Sequence, residues 1–175
     1  MGLGKTIQAL ALMCHTKEPD LTGPPYLVVA PTSVVGNWAS ECQRFAPGLS
    51  VVTISETERR RGIALEKLVA ETDLVITSYA LFRLEYDDYA ALTWAGLFLD
   101  EAQFAKNRTS HAYRRAKMLP VPFKVAMTGT PIENNLMELW SLLSITAPGL
   151  FTSADRFTDH YRTPIEKKND TERLL

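Results

Sequence analysis

The chain has 175 residues, 46% of them hydrophobic, which is length and apolar content enough for one domain with a sizeable core. Its 19 basic and 20 acidic residues leave a net charge of −1, which excludes a binder that relies on bulk positive charge but leaves room for a local basic face. Cys14 and Cys42 lack the spacing of a metal site or disulfide framework, no signal peptide is visible, and no apolar run reaches the ~18–20 residues of a membrane span. The reading is of a soluble, cytoplasmic protein with no membrane partner.

In chain order, "MGLGKTIQAL" runs from a glycine-rich turn into a helical stripe of Ile7, Leu10, Ala11 and Cys14. A Pro/Gly-rich loop over 16–25 precedes a strand, "YLVVA", at 26–30. A helical stripe of Trp38, Cys42 and Phe45 follows, then a strand at 51–54, a short stripe of Leu65, Leu68 and Val69, and strands at 74–78, 97–100 and 124–128. Leu136, Leu139, Trp140 and Leu143 form a last full stripe, with Asn135 and Glu138 as its capping pair. After Pro148-Gly149 the pattern weakens to one short helix over 153–161 and a charged tail. The strands are near-continuously apolar rather than alternating, as expected of strands buried on both faces of a parallel sheet. Strand and helix alternate, so the expected architecture is α/β with right-handed crossovers: a domain over 1–150 and a following segment over 151–175.

Gly4, Lys5 and Thr6 form the second half of the phosphate-loop pattern G-x-x-x-x-G-K-[ST], whose first glycine position would lie before Met1. Gly2 and Gly4 allow backbone N–H groups to turn towards phosphate oxygens, and a helix N-terminus adds its positive dipole end. Lys5 suits β- and γ-phosphates, and the Thr6 hydroxyl suits Mg²⁺. "LFLDEAQ" sets Asp100 and Glu101 at the C-terminal end of a buried strand, where ligands bind in open α/β sheets. Asp100 is the candidate metal-binding acid and Glu101 the candidate for activating water. Each motif alone also fits a solvated turn; joined in one parallel α/β chain they support a nucleotide site. A further strand ends in Thr128-Gly129-Thr130, whose hydroxyls suit contact with the acid pair and a γ-phosphate.

"MGLGKT", "LVVAPTSVVGNW", "VITSY", "LDEAQ" and "MTGTPIENNLMELWSLL" occur in the order of the SWI/SNF-type branch of superfamily-two helicases, and the chain resembles that family over nearly its whole length. The DEAQ form of the acid motif looks more like bacterial members. The resemblance implies a three-layer, RecA-like P-loop NTPase lobe with a mostly parallel sheet. It implies ATP and Mg²⁺ as cofactors, held by Gly2, Gly4, Lys5 and Thr6 with Asp100, and hydrolysis through Glu101. Gln103 would link the nucleotide to the rest of the site, and Thr128, Gly129 and Thr130 would couple hydrolysis to DNA movement. Pro31, Thr32 and Ser33, with Thr77 and Ser78, would lie along a track for the double-stranded DNA backbone, in a nucleoid-associated bacterial protein.

The resemblance also implies a strand before the phosphate loop, an adenine-recognising motif and a second RecA-like lobe with an arginine finger. None of them matches anything within these residues. The expectation is therefore the first lobe of an ATP-driven DNA translocase, with little turnover by these 175 residues alone. A non-catalytic remnant, or a DNA- or partner-binding lobe without turnover, shares every motif residue. A small-molecule kinase would not need "TGTPIENN". Trp38 is assigned to core packing, the runs Arg59-Arg60-Arg61 and Arg114-Arg115 to solvated faces, and no role to His15, His111 or His160.

Overall fold

The computed structural model describes residues 4–17, 23–130 and 135–168. Gly2 and the segment 131–134 of "TGTPIENN" lie outside the described residues. The chain runs α1 (Lys5–Lys17), β1 (Tyr26–Ala30), α2 (Thr32–Phe45), β2 (Val51–Ile54), α3 (Glu58–Arg61), α4 (Leu65–Val69) and β3 (Leu74–Ser78). It continues through α5 (Tyr79–Leu84), α6 (Tyr86–Ala90), β4 (Gly96–Asp100), a 3₁₀ turn (Ala102–Ala105), α7 (His111–Met118) and β5 (Lys124–Met127). After these come α8 (Leu136–Thr146), α9 (Ala154–Phe157), a π-helical turn (Thr158–Arg162) and α10 (Thr163–Lys168).

The described strands form one sheet in the order β2-β3-β1-β4-β5, and every pairing is parallel. The period of two along each strand divides the core. Tyr26, Val28, Ala30, Leu74, Ile76 and Phe98 face α1 and α2 on one side. Leu27, Val29, Val75, Leu97 and Leu99 face α4 to α8 on the other. Three layers result, as expected. Burying one large apolar side chain contributes about 1.5–3 kcal/mol, which explains why β1, β3 and β4 carry no polar residue before their last two positions.

The loop after β1 leads to α2 on one face, whereas the loops after β3 and β4 lead to the opposite face. β1 lies between β3 and β4, so crevices open beside its carboxyl end, where open α/β sheets bind ligands. β5 is an edge strand among the described residues, and no described strand corresponds to the one expected before the phosphate loop.

Several side chains sit differently from expectation. On α1 the buried stripe is Ala9, Leu10, Met13 and Lys17, and Ile7 is exposed. "IQALALM" offers two overlapping apolar stripes, and packing against the sheet selects the second. Phe45 ends α2 at 44% exposure, because the buried stripe is Val35, Trp38 and Cys42. The Asn135 side chain caps α8 by accepting from the Met137 N–H, and Glu138 also pairs with Lys106 at 3.1 Å. Arg61 is not solvated: it pairs with Glu85 at 3.1 Å, and Arg115 covers the Tyr86 ring at 5.0 Å. The single helix expected over 153–161 is instead α9 followed by the π-helical turn.

Candidate functional site

Gly4 adopts φ 68°, a left-handed conformation open to glycine without strain, and its carbonyl accepts from the Gln8 N–H at 3.0 Å. That turn opens α1 and sets Lys5 and Thr6 in its first turn, beside the end of β4. Gly4, Lys5, Thr6, Asp100 and Glu101 border one cavity of about 600 Å³, walled on the far side by Asn37, Ser40, Glu41, Arg44 and Phe45 of α2. The phosphate-loop residues and the acid pair, 94 residues apart in sequence at their nearest, are thus neighbours.

Glu101 is the one described non-glycine residue with positive φ, at 47°. A side chain in that region costs on the order of 1–2 kcal/mol, a strain kept where the surroundings over-determine it. Here the reversal directly after β4 brings the two adjacent acids to different partners. Glu101 Oε1 accepts from Lys5 Nζ at 3.1 Å, and Oε2 accepts from Gln103 Nε2 at 2.8 Å. Gln103 Oε1 in turn accepts from the Thr128 hydroxyl at 2.9 Å, and Thr128 Oγ1 accepts from the Thr130 N–H at 3.1 Å. One hydrogen-bonded line therefore runs from the phosphate loop, through the acid motif, to the end of β5. Gly129 is exposed at that end. The Gln103 amide, against a partial burial penalty and with help from Lys5, holds the Glu101 carboxyl below the ordinary carboxylate range.

Asp100 is 8% exposed and held at both oxygens. Oδ1 accepts from the Glu101 N–H at 2.9 Å and Oδ2 from the Trp38 indole N–H at 2.8 Å. Its main-chain carbonyl accepts from the Tyr79 hydroxyl at 3.1 Å. Burial, and then the nearby charges of Asp100 and Glu101, push the Tyr79 phenol far above its ordinary pKa. Each Asp100 oxygen retains a lone pair. One buried carboxylate and one hydroxyl, Thr6, bordering a cavity with room for a nucleotide's phosphates fit the sparse protein ligation of Mg²⁺, which takes its other ligands from water and phosphate. No cluster of three or more His, Cys, Asp or Glu occurs among the described residues, so a closed transition-metal cage is not offered.

Pro31, Thr32 and Ser33 border a second cavity of about 600 Å³, with Tyr79, Arg83, Phe104, Ser110 and His111. Tyr79 and the exposed Phe104 stack there at 5.7 Å between centroids. The side chains of Thr77 and Ser78, expected along the same DNA track, do not line this cavity. Thr77 is 0% exposed and accepts from the Tyr89 hydroxyl at 2.9 Å, while Ser78 is buried and accepts from the Leu81 N–H at 3.2 Å, capping α5. Their hydroxyls serve the strand's interior and its following helix.

The SNF2-related domain profile matches residues 1–175. The chain belongs to the SNF2-related domain family. YwqA of Bacillus subtilis, a helicase/translocase by assignment, is 40% identical over 174 residues, covering 99% of this chain and 19% of its own length. An ISWI chromatin-remodeling complex ATPase of Arabidopsis thaliana is 36% identical over 177 residues, 100% of this chain and 16% of its own. The Sulfolobus solfataricus SWI2/SNF2 ATPase core, solved in complex with dsDNA, superposes with a TM-score of 0.85 at 34% identity. That match covers 99% of this chain and 36% of the core. This SNF2-related lobe thus spans about a fifth of the length of the curated relatives it matches. Among its described residues no helix is long and apolar enough to cross a membrane.

The sequence points to core packing for Trp38 and gives Tyr79 and Phe104 no role. The fragments "VITSY" and "DEAQF" contain both aromatics, but only the fold brings them onto Asp100 and the second cavity.

Proposed function

We propose that this SNF2-related lobe binds Mg²⁺·ATP at the cavity of Lys5, Thr6, Asp100 and Glu101, and that the longer protein carrying it hydrolyses ATP to move along double-stranded DNA. The observation that carries the reading is the line Lys5–Glu101–Gln103–Thr128, which joins a phosphate-binding lysine to a carboxylate and then to a neighbouring strand end.

In this reading, the Gly4 turn and the first N–H groups of α1 bind phosphate oxygens, with Lys5 on the β- and γ-phosphates. Asp100 and Thr6 would hold Mg²⁺, which would neutralise charge on the phosphates. Glu101 orients a water and accepts its proton. Gln103 fixes the carboxylate and reports its state to Thr128 and Thr130. Pro31, Thr32, Ser33, Arg83 and Phe104 meet the DNA backbone, a contact that carries no base information and suits a motor indifferent to sequence. Such a protein would work at the nucleoid of a bacterial cell, a source supported by the DEAQ motif and the identity to the B. subtilis relative.

Steady-state hydrolysis by the full-length protein, with and without duplex DNA, tests this. Duplex should raise the rate, and Lys5→Ala should abolish the increase. A rate indifferent to duplex, or to Lys5→Ala, contradicts it and favours a binding lobe without turnover.

A further inference from the structure

We propose that Trp38 is a positioning residue for the Asp100 carboxylate, through which α2 is fastened to the metal-binding side of the nucleotide cavity. The inference rests on the reading of Asp100 as the metal-binding acid.

Trp38 is 1% exposed in the core between α1, α2 and the sheet. A buried indole needs an acceptor for its N–H, and a carbonyl suffices: Trp94 donates to the main-chain oxygen of Tyr89 at 2.7 Å. Trp38 donates instead to an anion, at 2.8 Å and out of water, which makes a charge-assisted bond. Packing alone does not require that partner. The consequence falls on Asp100. With Oδ1 on the Glu101 N–H and Oδ2 on the indole, the carboxylate cannot rotate without breaking a buried bond. The Tyr79 hydroxyl fixes the same residue's carbonyl, so plane and main chain are both held before any metal arrives.

The helix gives the bond a second meaning. α2 begins with Thr32 and Ser33, which border the second cavity, and continues without a break to Trp38. Six residues of α-helix span about 9 Å. A shift of α2 at its N-terminus therefore moves the donor that sets Asp100.

The test uses the full-length protein and reads nucleotide binding rather than turnover. A fluorescent ADP analogue is held at fixed concentration while Mg²⁺ is titrated, with folding monitored by circular dichroism. Trp38→Phe keeps a ring and removes the N–H; the Mg²⁺ midpoint should rise about tenfold, as for loss of a hydrogen bond to a charged group, while metal-free binding stays unchanged. Asp100→Asn sets the reference. If Asp100→Asn leaves the midpoint unmoved, the metal-binding reading of Asp100 is the part that fails. If Asp100→Asn raises the midpoint and folded Trp38→Phe does not, the positioning role is overturned. Should Trp38→Phe unfold, 3-benzothienylalanine at position 38, of nearly the same shape with sulfur for N–H, decides: a raised midpoint supports the proposal and an unchanged one overturns it.

Discussion

Lys5 Nζ stands 3.1 Å from Glu101 Oε1, so the lysine proposed to bind phosphate and the acid proposed to activate water neutralise each other across the cavity. Both side chains are partly exposed, which keeps the pair weak and exchangeable. Phosphate oxygens entering the Gly4 turn would draw Lys5 away and leave Glu101 on Gln103 alone. In the proposed mechanism, nucleotide binding would thus free Glu101 from its ion pair. Lys5→Ala should weaken nucleotide binding, whereas Glu101→Gln should keep it and lower kcat by about 10²–10⁴-fold. Equilibrium binding and steady-state turnover of the full-length variants separate the two effects.

Gln103 is the leading cause of the low Glu101 pKa, so its removal has a definite sign. Gln103→Leu raises the Glu101 pKa. Its reactive, ionised form is then lost at a higher pH as the solution is acidified. The acid limb of the kcat/KM profile should move to higher pH in Gln103→Leu and stay in place in Thr128→Val.

Thr128→Val removes the donor to Gln103 and almost no volume. Nucleotide affinity should hold, while duplex stimulation of hydrolysis falls about tenfold, the scale of one hydrogen bond. Equal loss of basal and stimulated rates would place Thr128 in chemistry rather than in coupling.

Lys124 opens β5, donates to the Lys117 carbonyl at 2.6 Å, and has its pKa lowered from 10.5 to about 8 by burial and then by the Lys117 charge. Between those values the unfolded chain binds more protons than the folded one, so stability rises with pH. Wild-type stability minus that of Lys124→Met, from urea denaturation, should climb from pH 8 to pH 10.5 and be level below pH 7.

Gly96 begins β4 where a Cβ would meet the Phe123 ring at 2.7 Å. That ring packs edge-on against Phe98 at 6.0 Å and tilted over Tyr26 at 6.2 Å, so it has little room to yield. Gly96→Ala should destabilise by about 1–3 kcal/mol in urea denaturation, and Phe123→Leu in the same chain should recover part of the loss.

The sheet was legible because each strand carries a mostly apolar run ending in a turn, and β1, β2 and β3 begin and end where those runs do. The residues proposed to bind nucleotide stood out because their pattern is local: Gly-Lys-Thr opens a helix and Asp100 closes a strand. Helices α3, α5, α6 and α7 were not. α5 is built of aromatic and aliphatic residues that also suit strands, and α7 buries only Tyr113 and Ala116 within a basic octapeptide. The side-chain partnerships were least legible. Trp38 fits a packing stripe whether or not its N–H meets Asp100. Thr77 and Ser78 have the same hydroxyls buried in a strand as they would on a DNA-facing edge. Both depend on where β1, β3 and β4 lie side by side, a relation between segments that no local pattern carries.

Glu101 is proposed to activate water at a site where Lys5, Thr6 and Asp100 would hold Mg²⁺·ATP. A single-turnover experiment on the full-length protein tests it most directly: radiolabelled ATP is bound with Mg²⁺, duplex DNA is added, and the bound nucleotide is quenched and resolved over time. Wild type should convert bound ATP to ADP while Glu101→Gln keeps it bound as ATP. Conversion by Glu101→Gln at the wild-type rate would contradict it.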